Sequence, residues 1–190
     1  MRPFDFIIAF FSFAYALALT HILFAATRMI RHRKALILSL PHTFWMLAAL
    51  FQLITNWVAL WDFRAMDVMP IGVVLIGLAL VSVVYLICAL VSPDFEDGRS
   101  YDMRAFHVNE GPTYIMAFLV LALFALAINF VAGAGAGVQN WADQNLLVLA
   151  VIPIMALALL VKVRWVQVLS PLAIIAAFLI GLVRYYPVIR

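Results

Sequence analysis

Residues 70–92 read PIGVVLIGLALVSVVYLICALVS, an unbroken stretch without a formal charge. A helix of about 20 apolar residues crosses the hydrocarbon core of a bilayer. Backbone polar groups in lipid must find their partners inside the chain, which leaves helices and closed barrels as the spanning structures. Barrel strands alternate apolar and polar residues over about ten positions, and nothing here alternates. The stretch therefore predicts a transmembrane helix.

Working outward, the same signal recurs at residues 4–30, 35–61, 112–132, 145–161 and 166–186. Together with 70–92 these predict an all-α integral membrane helical bundle of about six transmembrane helices with short loops, occupying 1–190 as one domain. The composition agrees: 68% hydrophobic residues, 11% charged, mean hydropathy +1.13. Pro41 falls in the second predicted helix near its start, Pro70 opens the third, and Pro153 lies near the middle of the fifth. Proline does least harm in a first turn, where its missing N–H has no partner to lose. Residues 93–111 form the longest polar segment, and Gly133, Gly135 and Gly137 end the fourth helix. Ser100 is a candidate cap for a short interfacial helix in the polar segment. Ala14-Tyr15-Ala16 resembles a signal-peptide cleavage site, but Asp5 and an apolar run continuing past Leu23 favour a retained first helix.

Lys and Arg set orientation through the short loops. Arg28, Arg31, Arg33, Lys34, Arg99, Arg104, Lys162 and Arg164 fall on one side, against Arg2, Arg64, Arg184 and Arg190 on the other. The richer side is expected in the cytoplasm, which puts both termini in the periplasm of a bacterial inner membrane. Trp57, Trp61, Trp141, Tyr185 and Tyr186 then fall at the outer interface and Trp165 at the inner one, as an aromatic belt. The net charge of +3 comes mainly from one loop and suits lipid headgroups, not nucleic acid. Cys88 has no second cysteine to pair with.

Polar side chains within a membrane are costly and often functional. His21 near the inner end of the first helix and His42 near the start of the second should lie at similar depth, with Tyr85 of the third helix in the same half. Three roles are open to this group: a solute or proton path, interhelical hydrogen bonding, or ligation of a metal or a haem b between His21 and His42. Near the outer end, Gln52 and Asn56 share one side of the second helix, and Asn129 sits on the fourth. These amides either bond across to one another or line an outer vestibule. Ala173, Ala177 and Gly181 form a small-residue stripe that permits close helix approach, within the chain or in a homo-oligomer. The acidic stretch from Asp94 lacks EF-hand register, and no nucleophile elbow, phosphate loop or zinc-protease motif occurs, which points away from an enzyme.

Thr20-His21, the Arg28/Arg31/Arg33 pattern, Pro41-His42-Thr43-Phe44-Trp45, Asn56-Trp57-Val58-Ala59-Leu60-Trp61 and Tyr85-Leu86-Ile87-Cys88 through Ser92-Pro93 occur in order. The first 110 or so residues thereby resemble a broad family of small bacterial integral membrane proteins without assigned function. The resemblance implies an inner-membrane location and about six helices; it carries over no site residues. Asn56-Trp57 departs from that pattern, where a Trp-Trp pair is commoner. The expected function is an ion or small-solute channel or transporter acting as a homo-oligomer. The alternatives are a non-catalytic accessory or sensor subunit of a larger membrane complex, and a bis-histidine haem protein.

Overall fold

The computed structural model describes residues 3–65, 68–95, 101–132 and 138–187. Helix α1 (Pro3–Arg31) leads into a two-residue strand β1 (Leu36–Ile37), then α2 (Leu40–Ala59). A 3-10 helix (Leu60–Ala65) extends α2, and α3 covers Ile71–Val91. Strand β2 (Tyr101–Asp102) precedes α4 (Met103–Ala132). A short α5 (Val138–Gln144), α6 (Leu146–Leu160) and α7 (Arg164–Tyr185) complete the chain. The all-α helical bundle expected from the apolar runs is what forms. Among the described residues five helices are long and apolar enough to cross a membrane, and α6, at 15 residues, is shorter. At 1.5 Å per residue α6 covers about 22 Å, against a hydrocarbon core of about 30 Å.

Two helix starts differ from the sequence expectation, each for a local reason. The second helix starts at Leu40 and not at 35, because residues 36 and 37 pair in parallel with 101 and 102. Pro41 accordingly sits in the first turn of α2. The fourth helix starts at Met103, nine positions before Pro112, and carries that proline inside it. Asp102 Oδ1 accepts the backbone N–H groups of Arg104 and Ala105, at 2.8 and 3.3 Å, and so caps α4. Glu110 lies within this helix. Ser100 lies outside the described residues, as do Gly133, Gly135 and Gly137.

Helix α2 is the hub. It packs against α1, α3, α4 and α7, while α4 also meets α3 and α6, and α6 meets α7. Its buried side is His42, Trp45, Met46, Ala48, Ala49 and Leu53, a run at three- and four-residue spacing. Trp45 lies against Tyr114 and Phe118 of α4, with ring centroids 6.1 and 5.3 Å apart. By contrast α1 bears exposed Phe6, Phe10, Phe13, Leu17 and Phe24. In a bilayer such a surface meets lipid.

The loop after α1 and the loop after α3 are tied together. Besides the β1–β2 pairing, Arg28 donates to the Phe95 carbonyl at 2.7 Å, and the His32 ring stacks on Phe95. At the opposite end the Tyr186 hydroxyl donates to the Asp62 carboxylate, joining the end of α7 to the 3-10 helix.

Candidate functional site

Two polar regions occupy opposite halves of the bundle. The first is assembled from α2, α4, α6 and α7. Gln167, in the first turn of α7, donates through Nε2 to the carbonyls of Ala158 and Val161, at 2.5 and 2.8 Å. Those carbonyls end α6 and have no helical N–H of their own. Because two acceptors claim the amide nitrogen, Oε1 must face the other way, where it stands 3.1 Å from His107 Nε2. His107 therefore carries its proton on Nε2, and its Nδ1 accepts the Tyr114 hydroxyl. One glutamine thus fixes the tautomer of a buried histidine on another helix. Gly111 leaves the space this needs: a Cβ there would stand 3.3 Å from His107 Nδ1. A cleft of about 60 Å³, with Pro112 and Lys162 among its walls, opens beside the imidazole.

His42 joins this region by way of Phe106, which meets it edge to face at 5.0 Å. Its Nε2–H donates to the Val91 carbonyl at 2.9 Å. Its Nδ1 and the Trp45 Nε1–H, one turn on, have no hydrogen-bond partner among the described residues.

The residues picked out in the sequence distribute as follows. His21 Nε2 and the Tyr85 hydroxyl lie 2.9 Å apart, with the rings edge to face. His21 and His42 thus engage α3 at Tyr85 and Val91, six positions or about 9 Å apart along the axis. The two imidazoles thus hold different partners on α3. No group of three His, Cys, Asp or Glu that could hold a metal occurs among the described residues. Thr20 and Thr43 bond to carbonyls of their own turns, Ala16 and Ser39, and join no cluster.

The outer amides do not pair across the bundle as one expectation held. Asn56 Nδ2 donates to the Gln52 carbonyl of its own helix at 3.1 Å. Asn129 Nδ2 donates to Asn145 Oδ1 at 2.7 Å, and Asn145 Nδ2 donates to the Trp141 carbonyl at 2.8 Å. Gln52 is half-buried on α2. In the stripe on α7, Ala177 packs on the core, and Gly181 faces Leu147 of α6, whose Cδ1 lies 3.5 Å from where a Cβ would stand. Ala173 is half-buried.

Asn56 and Asn129 instead share the second region, a pocket of about 580 Å³ walled by α1, α2, α3, α4 and the 3-10 helix. Its walls are aromatic and aliphatic, and no charged residue lines it among the described residues. Beyond the two amides its one polar group of note is Tyr15, 4% exposed, whose hydroxyl has no protein partner among the described residues. Gly77 permits α1 to lie close: a Cβ there would stand 2.7 Å from the Phe11 ring, which also lines the pocket.

Sequence reasoning missed His107, Gln167 and Tyr15. His107 fell in an apparent loop because Pro112 looked like a helix start. Tyr15 was hidden in an apolar run, where a lone tyrosine gives no spacing signal.

No protein family model, no characterised protein and no solved structure matches this chain.

Proposed function

We propose that this chain is a small multi-pass protein of a bacterial inner membrane that binds an apolar or amphipathic small molecule in its outer half and serves in that molecule's transport. The observation that carries this reading is the pocket of about 580 Å³ with uncharged, mostly hydrophobic walls. Small-molecule sites fall at roughly 300–1,000 Å³, apolar with a few placed polar groups. An aqueous ion path is the weaker reading. His21 is engaged with Tyr85, His42 with Val91 and Asn56 with its own helix.

Six traverses with both ends outward also suit the contacts. The bond from Tyr186 to Asp62 joins the end of α7 to the end of α2. Asn145 at the start of α6 meets Asn129 near the end of α4, while Ala158 near its finish shares Gln167 with His107 near the start of α4. Helix α6, though short, thus reaches from one end of α4 towards the other. The excess of Lys and Arg at the opposite end supports a periplasmic placement of the pocket.

The test is the molecule that accompanies the protein. Wild-type protein and Ala59→Trp, which fills the pocket with an indole, are purified in parallel and their bound small molecules compared by native mass spectrometry. The reading expects a near-stoichiometric apolar species on wild type that the variant lacks. Equal complements on both proteins would overturn it.

A further inference from the structure

Resting on that pocket, we infer that its ligand is a neutral amphiphile with a hydroxyl head, held between Tyr15, Asn56 and Asn129. Three helices bring these side chains towards one level. Phe4 of α1 meets Trp61 just beyond α2, with ring centroids 6.5 Å apart. Counting inward from that contact at 1.5 Å per residue, the Tyr15 backbone lies about 16 Å deep and the Asn56 backbone about 8 Å deep. Helical side chains lean towards their own N-terminus. Helix α1 runs inward and α2 runs outward, so Tyr15 leans out and Asn56 leans in, closing the gap from both sides. Asn129 sits on α4, which runs the same way as α2 and lines the same pocket.

The hydrogen bonds already made determine what is left to offer. The Gln52 carbonyl claims the Asn56 amide nitrogen, so Asn56 Oδ1 faces away from its own turn as an acceptor. The Trp141 carbonyl claims Asn145 Nδ2, which turns Asn145 Oδ1 towards Asn129 Nδ2 and leaves Asn129 Oδ1 as a second acceptor. Tyr15, 4% exposed and lining the pocket, adds a hydroxyl without a hydrogen-bond partner among the described residues. A ligand hydroxyl donates to one amide oxygen and accepts from the Tyr15 O–H. A phosphate or carboxylate brings a charge to walls without a counter-charge among the described residues. A quaternary ammonium brings charge and no donor. Uncompensated charge in such surroundings is the costlier burial.

The test uses one saturated chain with three heads: hydroxyl, phosphate monoester and trimethylammonium. Binding of the radiolabelled compounds to full-length protein in nanodiscs is read by scintillation proximity, with Ala59→Trp nanodiscs as the partition background. The alcohol is expected to bind about tenfold or more tightly than either charged chain. Tyr15→Phe should weaken the alcohol about tenfold, the loss of one buried hydrogen bond, and leave the phosphate ester unchanged. A phosphate ester that binds as well as the alcohol overturns the inference while leaving the pocket reading intact, and so does a Tyr15→Phe protein with unaltered preference. If no chain exceeds the background, the pocket reading falls and the inference with it. The wild-type head preference decides the matter even if Tyr15→Phe does not fold.

Discussion

Gln167→Leu removes one side chain and three hydrogen bonds, and its cost can be worked from the contacts. Leucine keeps the bulk but withdraws the donor from the Ala158 and Val161 carbonyls and the acceptor from His107 Nε2–H. In a membrane-protein interior an interhelical hydrogen bond averages roughly 0.6 kcal/mol, because the unfolded chain in lipid finds other partners. Three such bonds set a floor near 2 kcal/mol by that average. Each polar group left buried without a partner costs about 1–3 kcal/mol, but the two carbonyls at the end of α6 regain some of this by relaxing towards the interface. An expected loss of about 2–5 kcal/mol follows. Reversible unfolding in detergent or bicelles measures it. Because His107 gives its Nε2–H only to Gln167, His107→Leu with Gln167→Leu should cost less than the sum of the single variants. Amide exchange at Val161, whose N–H bonds to the Leu157 carbonyl, should quicken as the last turn of α6 frays. A loss for Gln167→Leu below about 0.5 kcal/mol, or strict additivity with His107→Leu, would refute the claim that this glutamine organises the inner network.

Three further outcomes are expected. Gly77→Ala places a methyl 2.7 Å from the Phe11 ring, but the ring can swing into the pocket it lines; unfolding free energy should change by less than about 1 kcal/mol while ligand affinity falls, and an unfolded variant would argue against that freedom. Burial first, and then the bond to the Asp62 carboxylate, raise the Tyr186 phenol above its usual range. An unfolded tyrosine loses its proton near pH 10 while the folded one keeps it, so this contribution to stability is complete below about pH 10 and declines above it. Tyr186→Phe should flatten the alkaline limb of a pH–stability profile, and an identical limb would count against the contact. Arg28→Ala withdraws a donor from the Phe95 carbonyl and should raise protease sensitivity of the loop after α3 while lowering global stability by about 0.5–1.5 kcal/mol, the net worth of one hydrogen bond.

The bundle was legible in the sequence because lipid imposes one strong rule: length and apolarity together define a spanning helix. What escaped depended on tertiary partners. Pro112 reads locally as a start, and only the Asp102 cap and the packing of Met103 and His107 in the core extend α4 back past it. The strand at 36–37 is too short to announce itself, since its partner lies beyond two whole helices, α2 and α3. Asn56 and Asn129 stood out as polar residues in apolar surroundings, and they do line one pocket, though not by bonding to each other. His21 and His42 were paired by depth along a helical hairpin. Depth does not settle partners, and α3 supplies each with a different one.

The parallel pairing of Leu36 with Tyr101 also sets a timetable for assembly. A chain is made from its N-terminus, so α1 and α2 are complete long before residue 101 exists. Their connecting turn cannot be sealed until α3 has been made and the start of α4 has followed it. Through that interval the first hairpin is held by helix contacts alone. A shift in the order or spacing of the first four helices would therefore leave this end of the hairpin open, even with every spanning segment correctly inserted.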